Sequence, residues 1–232
     1  MRMFTLSPRL ACVAARLPQG VRLADIGCDH GKLPIYAAVR LAPERVIACD
    51  IRPKPLARAA EGCRRFGVED RVELRLGDGL APVSPEECTY VTVCGMGGET
   101  IASILDAAPW TRCGAHTLIL QPETSAHKLR RFLYGAGYRI EDEEAVLDSG
   151  RVYTVLCVRG GAQPCEAALA DCFASPALRA RHDAAADAYL ARIYTSLGRR
   201  MLGESPESAQ YAALVEARRL LEERKDGKSL AD

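Results

Sequence analysis

A chain of 232 residues with 48% apolar and 26% charged residues can bury one sizeable core, or a core and a small appendage, and is not a disordered polymer. Its formal charge is only +1, from 31 basic and 30 acidic residues, so whole-chain charge does not announce nucleic-acid binding. No apolar run approaches the roughly 20 residues that cross a bilayer. Arg9 and Arg16 interrupt the opening segment, so neither a membrane span nor a signal core is expected. The ten cysteines contain no C-x-x-C pair, and Cys49, Cys94 and Cys157 sit inside apolar runs. Reduced, buried thiols in a cytoplasmic protein are the expectation.

Ser7-Pro8 predicts a first helix, with Ser7 as its cap and Leu6, Leu10, Val13 and Leu17 on one stripe. Pro18-Gln19-Gly20 ends it. VRLADIG reads as a short buried strand, LPIYAAVRLA as a helix and RVIACDI as a second strand. KPLARAAEGCRRFG is a helix stopped by Gly67, and RVELRLGDGL a third strand running into a turn. TYVTVCGMGG is a fourth strand ending in a glycine loop. ETIASILDAA comes next as a helix, HTLILQP as a fifth strand and SAHKLRRFLYGAG as a helix. YRIEDEEAVLD and RVYTVLCVRGG form a hairpin turning at Ser149-Gly150.

Strands alternating with helices four times over predict a parallel sheet covered on both faces, here closed by an antiparallel hairpin. After Gly160-Gly161 the strand signal stops. ALRARHDAAADAYLARIYTSLGRRML and SAQYAALVEARRLLEERK read as two long helices, with Ser205-Pro206 starting the second. The expected division is residues 1–160 as an α/β domain and 161–232 as a helical, coiled-coil-like domain.

The strongest chemical signal is ADIGCDHGKLP, Ala24 to Pro34. Gly27 permits a sharp strand-to-helix turn against a ligand. The dinucleotide fingerprint G-x-G-x-x-G is not met, because Asp29 stands at its second glycine. A carboxylate there repels a pyrophosphate and suits a cationic ligand, which favours S-adenosyl-L-methionine over a nicotinamide dinucleotide. Asp50 lies 23 residues after Gly27, near the offset expected for an acid that bonds a ribose diol. Asp78 ends the third strand, where an acid accepts from an adenine amino group. The loop Cys94 to Glu99 exposes backbone at the fourth strand's end. Gln121 ends the fifth, as a base-edge reader or a helix cap. His30 sits at the rim. His116, His127 and His182 show no metal spacing, and no metal is expected.

ADIGCDHGKLPIY, GDGL, GMGG, LILQP and the opening LSPRLACVAARLP together resemble the bacterial tRNA (adenine(22)-N(1))-methyltransferase family over nearly the whole chain. The closing hairpin fits the class I methyltransferase sheet. The chain departs at Gly31-Lys32, where that family often carries Ala-Tyr. The resemblance implies a Rossmann-like α/β fold with a helical second domain, S-adenosyl-L-methionine as cofactor and tRNA as substrate. Asp25, Gly27, Asp29, His30, Asp50, Ile51, Asp78, Gly79, Cys94, Gly95, Met96 and Gly97 form the candidate cofactor set, with Asp29 as the catalytic candidate that stabilises a cationic product. Phosphate contacts are expected from Arg52, Lys54, Arg58, Arg64 and Arg65, from Lys128, Arg130 and Arg131, and from Arg179, Arg181, Arg192, Arg199 and Arg200. A monomer is expected. Two rival readings stay open here: a small-molecule methyltransferase, and a non-enzymatic module on the same fold.

Overall fold

The computed structural model describes residues 5–222. Five parallel strands form its centre: β1 (Arg22–Ile26), β2 (Arg45–Asp50), β3 (Glu73–Leu76), β4 (Tyr90–Gly97) and β5 (Thr117–Thr124). β6 (Arg139–Asp148) and β7 (Arg151–Arg159) add an antiparallel hairpin. The seven strands lie in the order β3-β2-β1-β4-β5-β7-β6. Ser149 and Gly150 both have positive φ, +52° and +75°, which matches the right-handed twist of the strands they join.

Successive strand residues feed opposite faces. Leu23, Val46, Ala48 and Ile119 pack with α1 (Pro8–Ala14), α2 (Lys32–Arg40) and α3 (Pro53–Phe66). Their neighbours Ala24, Ile47, Leu118 and Leu120 pack with α4 (Gly98–Asp106) and α5 (Ala126–Gly135). A strand buried on both faces reads as a continuous apolar run, as these do. β2 and β4 leave β1 on opposite sides, so a crevice opens at the carboxyl ends of β1 and β4.

The tail departs from expectation. A short helix with no counterpart in the sequence reading, α6 (Leu169–Phe173), comes first, and the expected first long helix is two pieces, α7 (Pro176–Arg179) and α8 (Ala184–Met201). Asp183 makes the break, because its Oδ1 accepts from the amides of Ala185 (3.0 Å) and Ala186 (2.9 Å) and so caps α8. α9 (Ala209–Glu222) starts past Ser205-Pro206, where Ser208 Oγ accepts from the Tyr211 amide at 3.0 Å. The expected continuation through Lys225, and the helical domain's last residues 223–232, lie outside the described residues. The helices pack a third core that includes Ala145 and Val152 of the hairpin. Ser7 does not cap α1 with its side chain; its carbonyl takes the first helical bond, from Ala11. The three-residue and five-residue 3₁₀ turns at Pro85–Glu87 and Pro109–Cys113 had no counterpart in the sequence pattern.

Candidate active site

A cavity of about 980 Å³ occupies the crevice, at the upper end of the roughly 300–1,000 Å³ usual for small-molecule sites. The ends of β1, β2, β3 and β4 bring Asp25, Gly27, Asp29, His30, Asp50, Ile51, Asp78, Gly79, Cys94, Gly95 and Met96 to its wall. Gly97 stands just behind, as the residue preceding α4.

Asp50 is 4% exposed and rigidly held. One carboxylate oxygen accepts from the Arg52 amide at 2.9 Å, the other from the Asp29 amide at 3.2 Å. Two backbone donors fix its plane and leave its remaining lone pairs for a ligand. Asp25 is equally buried and accepts from the Thr92 hydroxyl at 2.6 Å. Burial, opposed by that hydrogen bond and aided by the Asp50 charge, pushes its pKa up to about 7.

Gly27 has φ +72°, and a Cβ added there would stand 2.0 Å from Met96 Cε. The glycine is therefore the seat of the Met96 side chain, which ties the β1 turn to the β4 loop. Asp29 has φ +49°, a left-handed conformation that Asp adopts more readily than bulkier residues. Its side chain is 63% exposed and points to His30 Nδ1, at 3.2 Å. His30 Nε2 lies 2.7 Å from Arg58 Nη1, and since a guanidinium can only donate, Nε2 is the acceptor in that contact. Arg58 is thus engaged with the rim rather than standing alone.

The Gly95 amide donates to Gln121 Oε1 at 3.1 Å, while Gln121 Nε2 donates to the Pro122 carbonyl at 3.1 Å. Gln121 is 1% exposed. It braces the glycine loop from the cavity wall. Gly98 is required for packing alone, since a Cβ there would stand 2.5 Å from the Ser125 carbonyl oxygen. Cys94 is kept a neutral thiol by burial and by the Asp25 charge.

The expected phosphate contacts divide. Arg130 is wholly buried against Glu143 and cannot meet RNA. Arg179 pairs with Asp171, and Arg181 with Asp142, each at 2.7 Å. Arg64, Arg65, Arg131, Arg192, Arg199 and Arg200 are exposed. The cavity also uses residues the sequence did not single out: Arg9, Ile104, Trp110 and Glu123. Trp110 carried a signal, as the chain's sole tryptophan just after a proline. Arg9 carried none, because the first helix reaches the site only through the tertiary fold.

Residues 6–156 match the family described as a methyltransferase domain. A tRNA (adenine(22)-N(1))-methyltransferase of Bacillus subtilis is 37% identical over 161 residues, 69% of this chain and 68% of that protein. The chain belongs to the tRNA (adenine(22)-N(1))-methyltransferase family. The crystal structure of the B. subtilis M1A22 tRNA methyltransferase TrmK superposes with a TM-score of 0.81 at 29% identity, over 96% of this chain and 99% of that one. The Streptococcus pneumoniae protein Sp1610, solved in complex with S-adenosyl-L-methionine, gives 0.79 at 27% identity, over 92% and 100%.

For this family member the donor set suits the sulfonium cofactor. Asp25, Asp29, Asp50 and Asp78 offer acceptors to a cation, an amino group and hydroxyls, while Ile51, Leu80 and Ile104 offer apolar wall to a base. Ile51 is 59% exposed, unusual for an isoleucine without a partner surface.

Proposed function

We propose that this enzyme transfers a methyl group from S-adenosyl-L-methionine to N(1) of adenine 22 in tRNA. The observation that carries this reading is the acid-lined cavity at the switch point of a chain 37% identical to a tRNA (adenine(22)-N(1))-methyltransferase. Asp50 would hold the ribose diol, Ile51 and Gly79 the adenine, and Asp78 its amino group. Asp25, Gly27, His30 and the backbone from Cys94 to Gly97 would hold the methionine end. The bound cofactor supplies an electrophilic methyl on sulfur.

Adenine N(1) carries an in-plane lone pair and needs no base and no metal to attack. What the chain must supply is alignment, exclusion of water and a negative field for the positive charge that develops on the base. Asp29 at the rim and the carbonyls of Cys94 to Met96 are the groups for that field. Position 22 is stacked within the D-arm, so the base must be flipped out to enter the crevice.

Residues 161–232 would serve as the tRNA-holding domain, and the enzyme would act as a cytoplasmic monomer. Among the described residues no helix is long and apolar enough to cross a membrane. Radiolabelled methyl transfer into unmodified tRNA, with nucleoside analysis of the product, tests the reading. It is upheld by N(1)-methyladenosine at position 22 and overturned by label in any other nucleoside or none.

A further inference from the structure

A second cleft, of about 260 Å³, opens where α8 crosses the end of β5 and the start of α5. Its helical wall carries Arg192, Ser196 and Arg200. These stand four residues apart, so they succeed one another up one face of α8 at about 6 Å intervals. Arg192 lies over the Tyr189 ring at 5.0 Å and Arg200 over the Phe173 ring at 4.9 Å. Among the described residues no carboxylate pairs with either guanidinium. Aromatic faces prop them in place and leave their N–H forks open to solvent.

On the opposite wall, His127 stacks on Phe173, with centroids 5.1 Å apart and planes 9° apart. Burial, and then the charges of Arg200 and Lys128, hold its imidazole below the usual histidine range. The ring is therefore neutral at pH 7, and its surroundings are electropositive. The acid on this wall, Glu123, is ion-paired with Arg9. Glu123 lines both this cleft and the main cavity, so the two are neighbours that share one wall residue.

We propose that this cleft is an RNA-backbone site, in which Arg192 and Arg200 each hold a phosphate of the strand that carries the base entering the main cavity. The proposal rests on the tRNA reading and deepens it. Bidentate guanidinium forks match phosphate oxygens, and a cleft beside the catalytic cavity lies where the strand that presents a flipped base must run. It also assigns the helical segment a direct part in aligning substrate.

The test uses the full chain. For Arg192→Ala/Arg200→Ala, tRNA affinity should fall roughly tenfold, and the slope of log affinity against log salt should shrink by about 1–2. Cofactor affinity by calorimetry should hold. A double-alanine chain with wild-type tRNA affinity and salt slope overturns the proposal. Ser196→Glu guards against loss of the aromatic stacks, because it places an acid between the arginines without removing either. It should weaken tRNA binding at least as much, and an unchanged affinity again overturns the cleft assignment. Methyl transfer by the wild-type chain is measured in parallel. Transfer with unaffected variants sinks the cleft alone, whereas neither transfer nor tRNA binding by the wild type sinks both readings.

Discussion

Arg130 of α5 and Glu143 of β6 form an ion pair with no exposed surface on either side chain. Arg130 Nε lies 3.1 Å from both carboxylate oxygens. Nη1 donates to the carbonyls of Cys172 (3.0 Å) and Phe173 (2.9 Å), and Nη2 to the Tyr189 hydroxyl at 3.0 Å. One guanidinium thus fastens the sheet, α5 and the helical segment together. Arg130→Met should cost about 3–5 kcal/mol, because it strands the Glu143 charge in an apolar interior. Arg130→Met/Glu143→Leu should recover most of that. Urea unfolding decides, and a single variant as stable as the wild type would show that the pair does not hold the segments together. A chain cut at Cys165 loses three of these acceptors, so it is expected to be destabilised as well as deprived of its RNA contacts.

Asp50 presents a carboxylate whose plane is fixed by two backbone amides. Asp50→Ala should weaken S-adenosyl-L-methionine binding by about 1.5–3 kcal/mol, the worth of hydrogen bonds to a charged group. Calorimetric affinity equal to the wild type would remove Asp50 from the ribose site.

Asp25 should make stability depend on pH. Its folded pKa is about 7, above the ordinary 3.8, so between those values the native state binds more protons than the unfolded one. Stability should then decline as pH rises from about 4 to 7, by a few kcal/mol at most. Asp25→Asn, which keeps an acceptor for Thr92, should flatten this slope. Unfolding curves at pH 5 and pH 8 are the measurement, and equal slopes in both proteins would refute it.

Gly27 and Met96 form a coupled pair. Gly27→Ala should cost about 1–2 kcal/mol for its left-handed backbone and displace the Met96 methyl from its seat. Methyl transfer should fall with it. Met96→Ala clears the space, so the double variant should be less impaired than additivity predicts. Strict additivity of the two changes would show that the contact carries nothing.

Asp29 brings a left-handed backbone and an exposed carboxylate to the rim, and one substitution separates the two. Asp29→Asn keeps the size and tolerates the left-handed turn but lacks the charge. Turnover should drop roughly 10²-fold, as on losing one electrostatic stabiliser, with a smaller loss of cofactor affinity. Near-normal turnover would leave Asp29 as a turn former and shift charge stabilisation to the carbonyls of the glycine loop.

Local repetition made the sheet, its closing hairpin and the strand-end acids legible. Continuous apolar runs such as those holding Leu23-Ala24 and Leu118-Ile119 mark strands buried on both faces. The side chains of Asp25, Asp50 and Asp78 need only sit at successive strand ends to share one edge. The tail helices were legible as helices, but their boundaries were not, because Asp183 caps and breaks a run whose composition is helical throughout. Charge partners were illegible for a different reason. Arg130 reads as a surface cation within HKLRR, and only the fold brings Glu143, Phe173 and Tyr189 to it from 13, 43 and 59 residues away. The tie of Gln121 to the glycine loop likewise shows only once β4 is laid beside β5 and its oxygen accepts from the Gly95 amide. Periodicity is a property of neighbours in the chain, so the sequence alone determined the elements and the faces they bury. Whether a charge faces water, a carboxylate or a cleft depends on which distant segment packs against it, and that only the tertiary structure decided.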